Sequence, residues 1–446
     1  MKKKILSMLL SMVLTVACFT GCGSNPSSGG ETGGTASTEI PKNPEDMYTV
    51  TMAVIGNDQE DMDLVEAEMN KILAEKVGAQ IDVITLGWGV YQQQLQLMLS
   101  GAEKLDLVPI MYNNVSTYVN SGQVLDMSDL IDQYGVNMKA ALGEDILKIA
   151  NMNGYVYGVP VEKEWYADSC LVMRKDILDK YNLDVSNVKS LADCAPIFET
   201  IHENEPDMKI LVGAKDGLIG NIYFADVLSD RFGVLDNGGA DTTIVNYYET
   251  DNYKNLAATV HDYYEKGYID KDMATSTDAG TTILKAGNAF CFATPYKPGV
   301  AEQESLNTGY ELVAVRINPT PAFCYTNAVA AITWGIGQNC ENPEMTMKVL
   351  DYMYGDPELM NLFNWGIEGV HYVVKDAEND VIGFPDGVDA SNAKYNLNMG
   401  WELPNQYKIH VWEGSSRKIM DAQKEMNATA NKSKALGFMF DSTSVS

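Results

Sequence analysis

Two periods of apolar residues alternate along the chain after residue 47. Tyr48-Thr-Val-Thr-Met-Ala-Val-Ile55 reads as a strand. Beyond Gly56-Asn57-Asp58, residues Val65, Met69, Leu73 and Val77 recur at helical spacing. Ile81 to Leu86 predicts a second strand, broken by Gly87-Trp88-Gly89. Tyr91, Leu95, Met98 and Leu99 then share a helical face opposite a run of glutamines. Leu105 to Met111 predicts a third strand, closed by Tyr112-Asn113-Asn114. Strand, helix, strand, helix, strand with short connections predicts right-handed βαβ units and a largely parallel sheet of the α/β class. Ligands of open α/β sheets sit beyond the carboxyl ends of the strands. The three turns at Asn57, Trp88 and Asn113 are therefore the first candidate site, with glycines that admit close backbone approach.

The pattern changes after Asn153-Gly154. Tyr155 to Pro160 is extended, Leu171 to Met173 predicts a short strand, and helical spacing returns from Asp176 to Tyr181 and from Leu256 to Tyr264. Ala289 to Ala293, Glu311 to Ile317 and Val329 to Trp334 predict strands, and Pro343 to Tyr354 a helix. No repeat of fixed period is present. At 446 residues the chain suits two lobes of ordinary domain size.

The N-terminus follows a different logic. Lys2, Lys3 and Lys4 precede an apolar run from Ile5 to Phe19 and then Thr20-Gly21-Cys22, the order of a secretory signal that ends on cysteine. It resembles a bacterial lipoprotein signal, which implies removal of residues 1–21, acylation of Cys22 and a location on the outer face of the cell membrane. The apolar run is short for a bilayer span of roughly 20 residues. Residues 22–46, rich in Ser, Gly, Thr, Asn and Pro, read as a flexible tether.

Composition narrows the partners. A net charge of −29 repels phosphate backbones and anionic lipid, so nucleic acid is not expected. Arginine occurs only at Arg174, Arg231, Arg316 and Arg417, which disfavours an anionic solute. Past Cys22 the cysteines Cys170, Cys194, Cys291, Cys324 and Cys340 are widely spaced without a Cys-x-x-Cys pair, so free thiols are expected rather than a disulfide framework or zinc site.

Several segments together resemble one family. These are the lipidated cysteine with its tether, Leu105-Asp106-Leu107-Val108 after an amphipathic helix, Gly154 to Pro160 with Glu164-Trp165 behind it, and Trp365-Gly366-Ile367-Glu368-Gly369 with His371-Tyr372. The chain is similar to the carbohydrate-type extracellular solute-binding lipoproteins of ABC importers, in the Gram-positive branch with an extra C-terminal domain. The resemblance implies a two-lobed periplasmic-binding-protein-like fold of type II, a hinge of several crossing strands and a ligand in the cleft. It implies lobe 1 over 47–160 with 311–365 returning to it, and lobe 2 over 161–310 with 366–446, the crossings falling near Pro160, Glu311 and Gly366. Family members continue past the Leu436 to Asp441 segment, so a shortened C-terminus is expected. The implied partners are importer membrane subunits, a small-molecule ligand and the membrane through the lipid anchor; the implied state is a monomer without cofactor.

A sugar presents flat C–H patches ringed by hydroxyls, and a site for it needs aromatic faces beside amides and carboxylates. Trp88, freed by flanking glycines, and Tyr91 are the first candidates, followed by Trp165, Trp334 and Trp365 near expected crossings or strand ends. Trp401 and Trp412 read as structural. Asn57, Asn113 and Asn114 offer amides, Glu164 and Glu368 carboxylates, and Tyr296 a ring from the second lobe; Asp58 reads as a helix cap. Catalytic constellations are missing: His202, His261, His371 and His410 are scattered, and no nucleophile elbow or phosphate loop occurs. Asp376-Ala377-Glu378-Asn379-Asp380 lacks the glycine and closing glutamate of a calcium loop and reads as a hairpin turn. The expected function is capture of a neutral oligosaccharide. Peptide capture, a surface adhesin and a glycosidase using Glu164 and Glu368 as its carboxylate pair remain alternatives.

Overall fold

The computed structural model describes residues 43–440 except 102, 215–223, 229–232, 277, 319–320 and 391. The signal segment, Cys22, nearly all of the tether and Arg231 lie outside the described residues. All described residues fall within one compact unit, Ile40–Ser446.

The first sheet begins as its apolar pattern predicts. Strand β1 (Tyr48–Ile55) is followed by helix α1 (Met62–Lys76), β2 (Ala79–Leu86), α2 (Tyr91–Ser100) and β3 (Leu107–Met111). β1 pairs in parallel with β2 in unbroken register from Tyr48↔Ala79 to Ile55↔Leu86. Six successive residues of β1 are buried because helices cover both its faces. Val50, Met52 and Val54 meet Val65, Met69 and Leu73 of α1, while Ala53 packs with Leu95 and Leu99 of α2. α1 stops at Gly78, whose left-handed backbone (φ 79°) lets its N–H and that of Val77 both reach the Leu73 carbonyl at 2.9 Å. Ile332–Ile336 and Val159–Pro160 complete the sheet in antiparallel fashion.

The second sheet has the order Leu312–Arg316, Ser169–Arg174, Ala289–Pro295, Lys209–Val212. Around it Leu171, Met173, Phe198, Tyr263 and Phe290 form a separate core. Between the two bodies, Phe323–Cys324 pairs antiparallel with Tyr166–Ala167 and parallel with Asn431–Lys432. This three-stranded ribbon carries the chain across.

Two expected crossings are corrected. Leu312–Arg316 does not return to the first sheet; it pairs with Ser169–Arg174 along its whole length, and the crossing comes at Phe323–Cys324. Nor does the chain leave the first lobe at Gly366. That residue (φ 84°) folds the backbone onto His371, where a Cβ would meet Nδ1 at 2.4 Å, and Tyr372, Ile382, Tyr395, Leu397, Leu403 and Ile409 all pack into the core of Val50 and Val65. The third crossing is Asn431–Lys432, reached through the helix Arg417–Thr429. A smaller correction concerns Val329, which ends a short helix (Thr326–Val329) before the strand Ile332–Ile336 begins. Asp376 to Asp380 does form a hairpin turn, between Val373–Asp376 and Val381–Gly383. Cys170, Cys194, Cys291, Cys324 and Cys340 are free thiols.

Candidate functional site

At the end of β2 the Gly87 carbonyl accepts the N–H groups of both Val90 and Tyr91 at 3.0 Å. The chain therefore turns straight into α2 and leaves the Trp88 ring projecting, 47% exposed. Trp88 stacks on Trp401, with centroids 5.7 Å apart and planes at 27°, and meets the edge of Tyr91 at 6.2 Å. Three rings thus form an aromatic ledge.

Trp401 reaches this ledge from far along the chain. The Asn396 N–H donates to Gln59 Oε1 at 2.8 Å, the Asp61 N–H to the Lys394 carbonyl at 3.2 Å, and Lys394 pairs with Glu60 at 2.9 Å. These bonds tie the 394–396 segment to the turn after β1. The next turn closes where Glu402 and Leu403 donate to the Met399 carbonyl. Behind it the buried Glu402 accepts the Ile55 N–H at 2.8 Å, and burial, opposed only by that bond, pushes its carboxyl up to about 8.

The end of β3 forms a 3₁₀ turn, Tyr112–Asn114. Asn113 is exposed; Asn114 is half-buried and receives a long contact of 3.5 Å from Gln92 Nε2 on α2, which links this strand end to the ledge. Burial, with Asp226 nearby, pushes the Tyr112 hydroxyl up to about 12. Asp226 belongs to the far side of the ribbon, where its Oδ2 accepts the Ser433 hydroxyl at 2.5 Å. Tyr112 itself packs against the cores of the first lobe. Asn57 is exposed at the end of β1, with its carbonyl bonded by Gln59 Nε2 at 2.9 Å. The structure so brings together Asn57, Trp88, Tyr91, Asn113 and Asn114 along adjacent strand ends.

The remaining candidates lie elsewhere. Trp165, Trp334 and Trp365 are core residues whose indole N–H groups donate to the carbonyls of Val161, Glu402 and His410. Each buried indole has found a backbone acceptor, as a buried Trp N–H usually does. Trp412 is structural as expected, packed on Trp365 at 4.8 Å. Trp401 is not. Glu164 is engaged at the hinge: Gln406 Nε2 donates to it at 2.7 Å and Lys297 approaches to 3.5 Å. Burial works against its charge, but Lys163, Lys297 and the Gln406 bond outweigh it and hold the carboxyl down at about 2. That is the opposite of the raised carboxyl a glycosidase acid requires. Glu368 lies in an exposed turn closed by the Gly369 N–H on the Tyr372 carbonyl. Tyr296 is half-buried against the second sheet under the Arg316 guanidinium, 5.5 Å from its ring. Asp58 does not cap α1; the N-cap position is Asp61. A cavity of about 690 Å³ opens between the second lobe and the helix Arg417–Thr429, lined by Lys189, Arg316 and Met426, and shares no residue with the ledge.

Comparison with known proteins places this architecture. The description "bacterial extracellular solute-binding protein" matches residues 57–359. The chain belongs to that family. Among curated relatives of this solute-binding protein, a carbohydrate ABC transporter substrate-binding protein of Streptococcus pneumoniae is 28% identical over 403 residues, covering 90% of this chain and 80% of the relative. Among solved structures, the N-glycan transport solute binding protein NgtS of the same organism has a TM-score of 0.78 at 26% identity, covering 89% of this chain and 86% of its own. In complex with Man1GlcNAc and with Man5GlcNAc, NgtS matches with TM-scores of 0.69 and 0.66. The two-lobed type II fold is therefore shared by this solute-binding protein and its neighbours.

Proposed function

We propose that this solute-binding protein is the capture component of an ABC importer and binds a neutral oligosaccharide between its lobes. Trp88, backed by Trp401, stacks on a sugar face, and the Asn57, Asn113 and Asn114 amides bond hydroxyls around it. The observation that carries the reading is the exposed Trp88 ring, stacked on the half-buried Trp401 at the strand ends, where open α/β sheets hold ligands. The glycans bound by NgtS support an N-glycan-like ligand with mannose and N-acetylglucosamine units. Contacts made by the ligand to both lobes would then favour closure, since only differential binding shifts such an equilibrium. A lipid on Cys22 would hold the protein, as a monomer, at the outer membrane face beside the importer; among the described residues no helix is long and apolar enough to span a bilayer.

The test is calorimetry and thermal shift against neutral oligosaccharides and peptides of matched size, followed by small-angle scattering. Expected is saturable binding of a mannose-containing oligosaccharide, compaction on binding and no cleavage product. Binding of peptides but of no glycan would overturn the reading.

A further inference from the structure

Glu402 sits where the ledge meets the sheet. Its side chain is completely buried, its Oε1 accepts the Ile55 N–H, and its Oε2 has no hydrogen-bond partner among the described residues. The backbone of the same residue holds the turn, its N–H on the Met399 carbonyl and its own carbonyl accepting the Trp334 indole N–H at 2.8 Å. The preceding residue is Trp401, stacked on Trp88.

An ionised carboxylate here would have one neutral N–H to balance its charge. β1 offers only Ile55; the strand Ile332–Ile336 offers the Trp334 indole, already bonded to the Glu402 carbonyl; and the helix Pro357–Trp365 offers the neutral amide of Asn364, whose Oδ1 takes the Met399 N–H and whose buried Nδ2 makes no bond to the carboxyl. Among the described residues no lysine, arginine or histidine pairs with Glu402. The ionisable groups of neighbouring turns are engaged elsewhere, Asp61 with His371 at 3.2 Å and the Tyr395 hydroxyl on the Phe363 carbonyl at 2.6 Å. A lone buried charge is costly enough that such a group stays neutral instead.

We propose that protonated Glu402 is the positioning residue of the ligand ledge. Neutral, it clamps the 399–403 turn to the end of β1 and keeps Trp401 beneath Trp88; on losing its proton it draws in water and releases the turn, so that glycan capture weakens in mildly alkaline medium. This inference rests on the ledge being the ligand surface.

Two stacked indoles give an exciton couplet in circular dichroism, assigned by its loss in Trp401→Phe. The full chain is titrated from pH 6.5 to 9 while the couplet and the affinity for Man5GlcNAc are followed. With a carboxyl near 8 and a non-binding ionised form, affinity falls roughly tenfold between about pH 7 and about pH 9, in step with the couplet. Both profiles become flat in Glu402→Gln. The wild-type titration needs no variant, so a poorly folding Glu402→Gln leaves the test intact. A couplet constant up to that limit, or one that titrates alike in Glu402→Gln, overturns the inference even if Trp88→Ala abolishes binding. A titrating couplet with glycan affinity untouched by Trp88→Ala overturns the ledge reading instead, and capture by this route with it.

Discussion

Replacing Trp88 by alanine probes the site with little harm to the fold. The ring is 47% exposed. An indole side chain carries about 250 Å² of surface, so roughly 115 Å² faces solvent. A pyranose covering half of that removes roughly 60 Å² from the ring and a like area from the sugar. At about 25 cal/mol per Å² the contact contributes about 3 kcal/mol, which is roughly a hundredfold in affinity. Removal of Trp88 also bares the Trp401 face beneath it, and a sugar can settle there, so the expected loss is between about tenfold and about a hundredfold. Stability should fall by only about 1 kcal/mol, the worth of the lost ring stack. Isothermal titration with the best oligosaccharide from the panel, beside thermal unfolding of the free protein, measures both. Affinity within twofold of wild type would refute the argument, because a ring so exposed cannot form the proposed sugar platform and yet contribute nothing.

Trp334→Leu should show the reverse signature, a loss of about 3 kcal/mol or more in stability from a filled core and a buried indole bond, seen as an earlier urea midpoint. Glu402 is buried with a carboxyl raised from 4.5 to about 8, so its native state holds a proton that the unfolded chain releases; stability is full below about 4.5 and falls as pH rises to about 8. Glu402→Gln lacks this slope, and its stability relative to wild type should improve by about 3 kcal/mol between about pH 4.5 and 7, read from paired urea midpoints. Glu164 has the opposite sign: its carboxyl is held at about 2, so what it contributes is present above the usual carboxylate range and is lost as pH falls toward 2. Melting curves of Glu164→Gln should therefore converge with wild type in acid and diverge near neutrality; parallel curves would refute the hinge role of that carboxylate.

The first βαβαβ run was legible because its information is local. Apolar spacing, Gly78 and the Gly-Trp-Gly break lie within the elements they shape. Trp88 was legible for the same reason, its neighbours being too small to cover it. The other tryptophans were not. Whether Trp334 is a ligand platform or a core residue depends on the Glu402 carbonyl, and whether Trp401 reaches Trp88 depends on Gln59 gripping Asn396. Such partners sit on other elements, and no window along the chain contains them. The lobe boundaries failed likewise: Gly366 marks a reversal, but only the apolar faces of Tyr372 and Tyr395 meeting the first core decide which way the chain goes.

The first core draws its members from both ends of the polypeptide, with Val50 and Val65 packed among Leu403 and Ile409. That core is therefore complete only once residues near Ile409 have been made, although Val50, Met52 and Val54 can meet α1 well before. Local helices form early, but such sequence-distant closure is slow. Until those residues join, part of the apolar surface of the first lobe lacks its partners, and such transiently exposed surface is prone to aggregation.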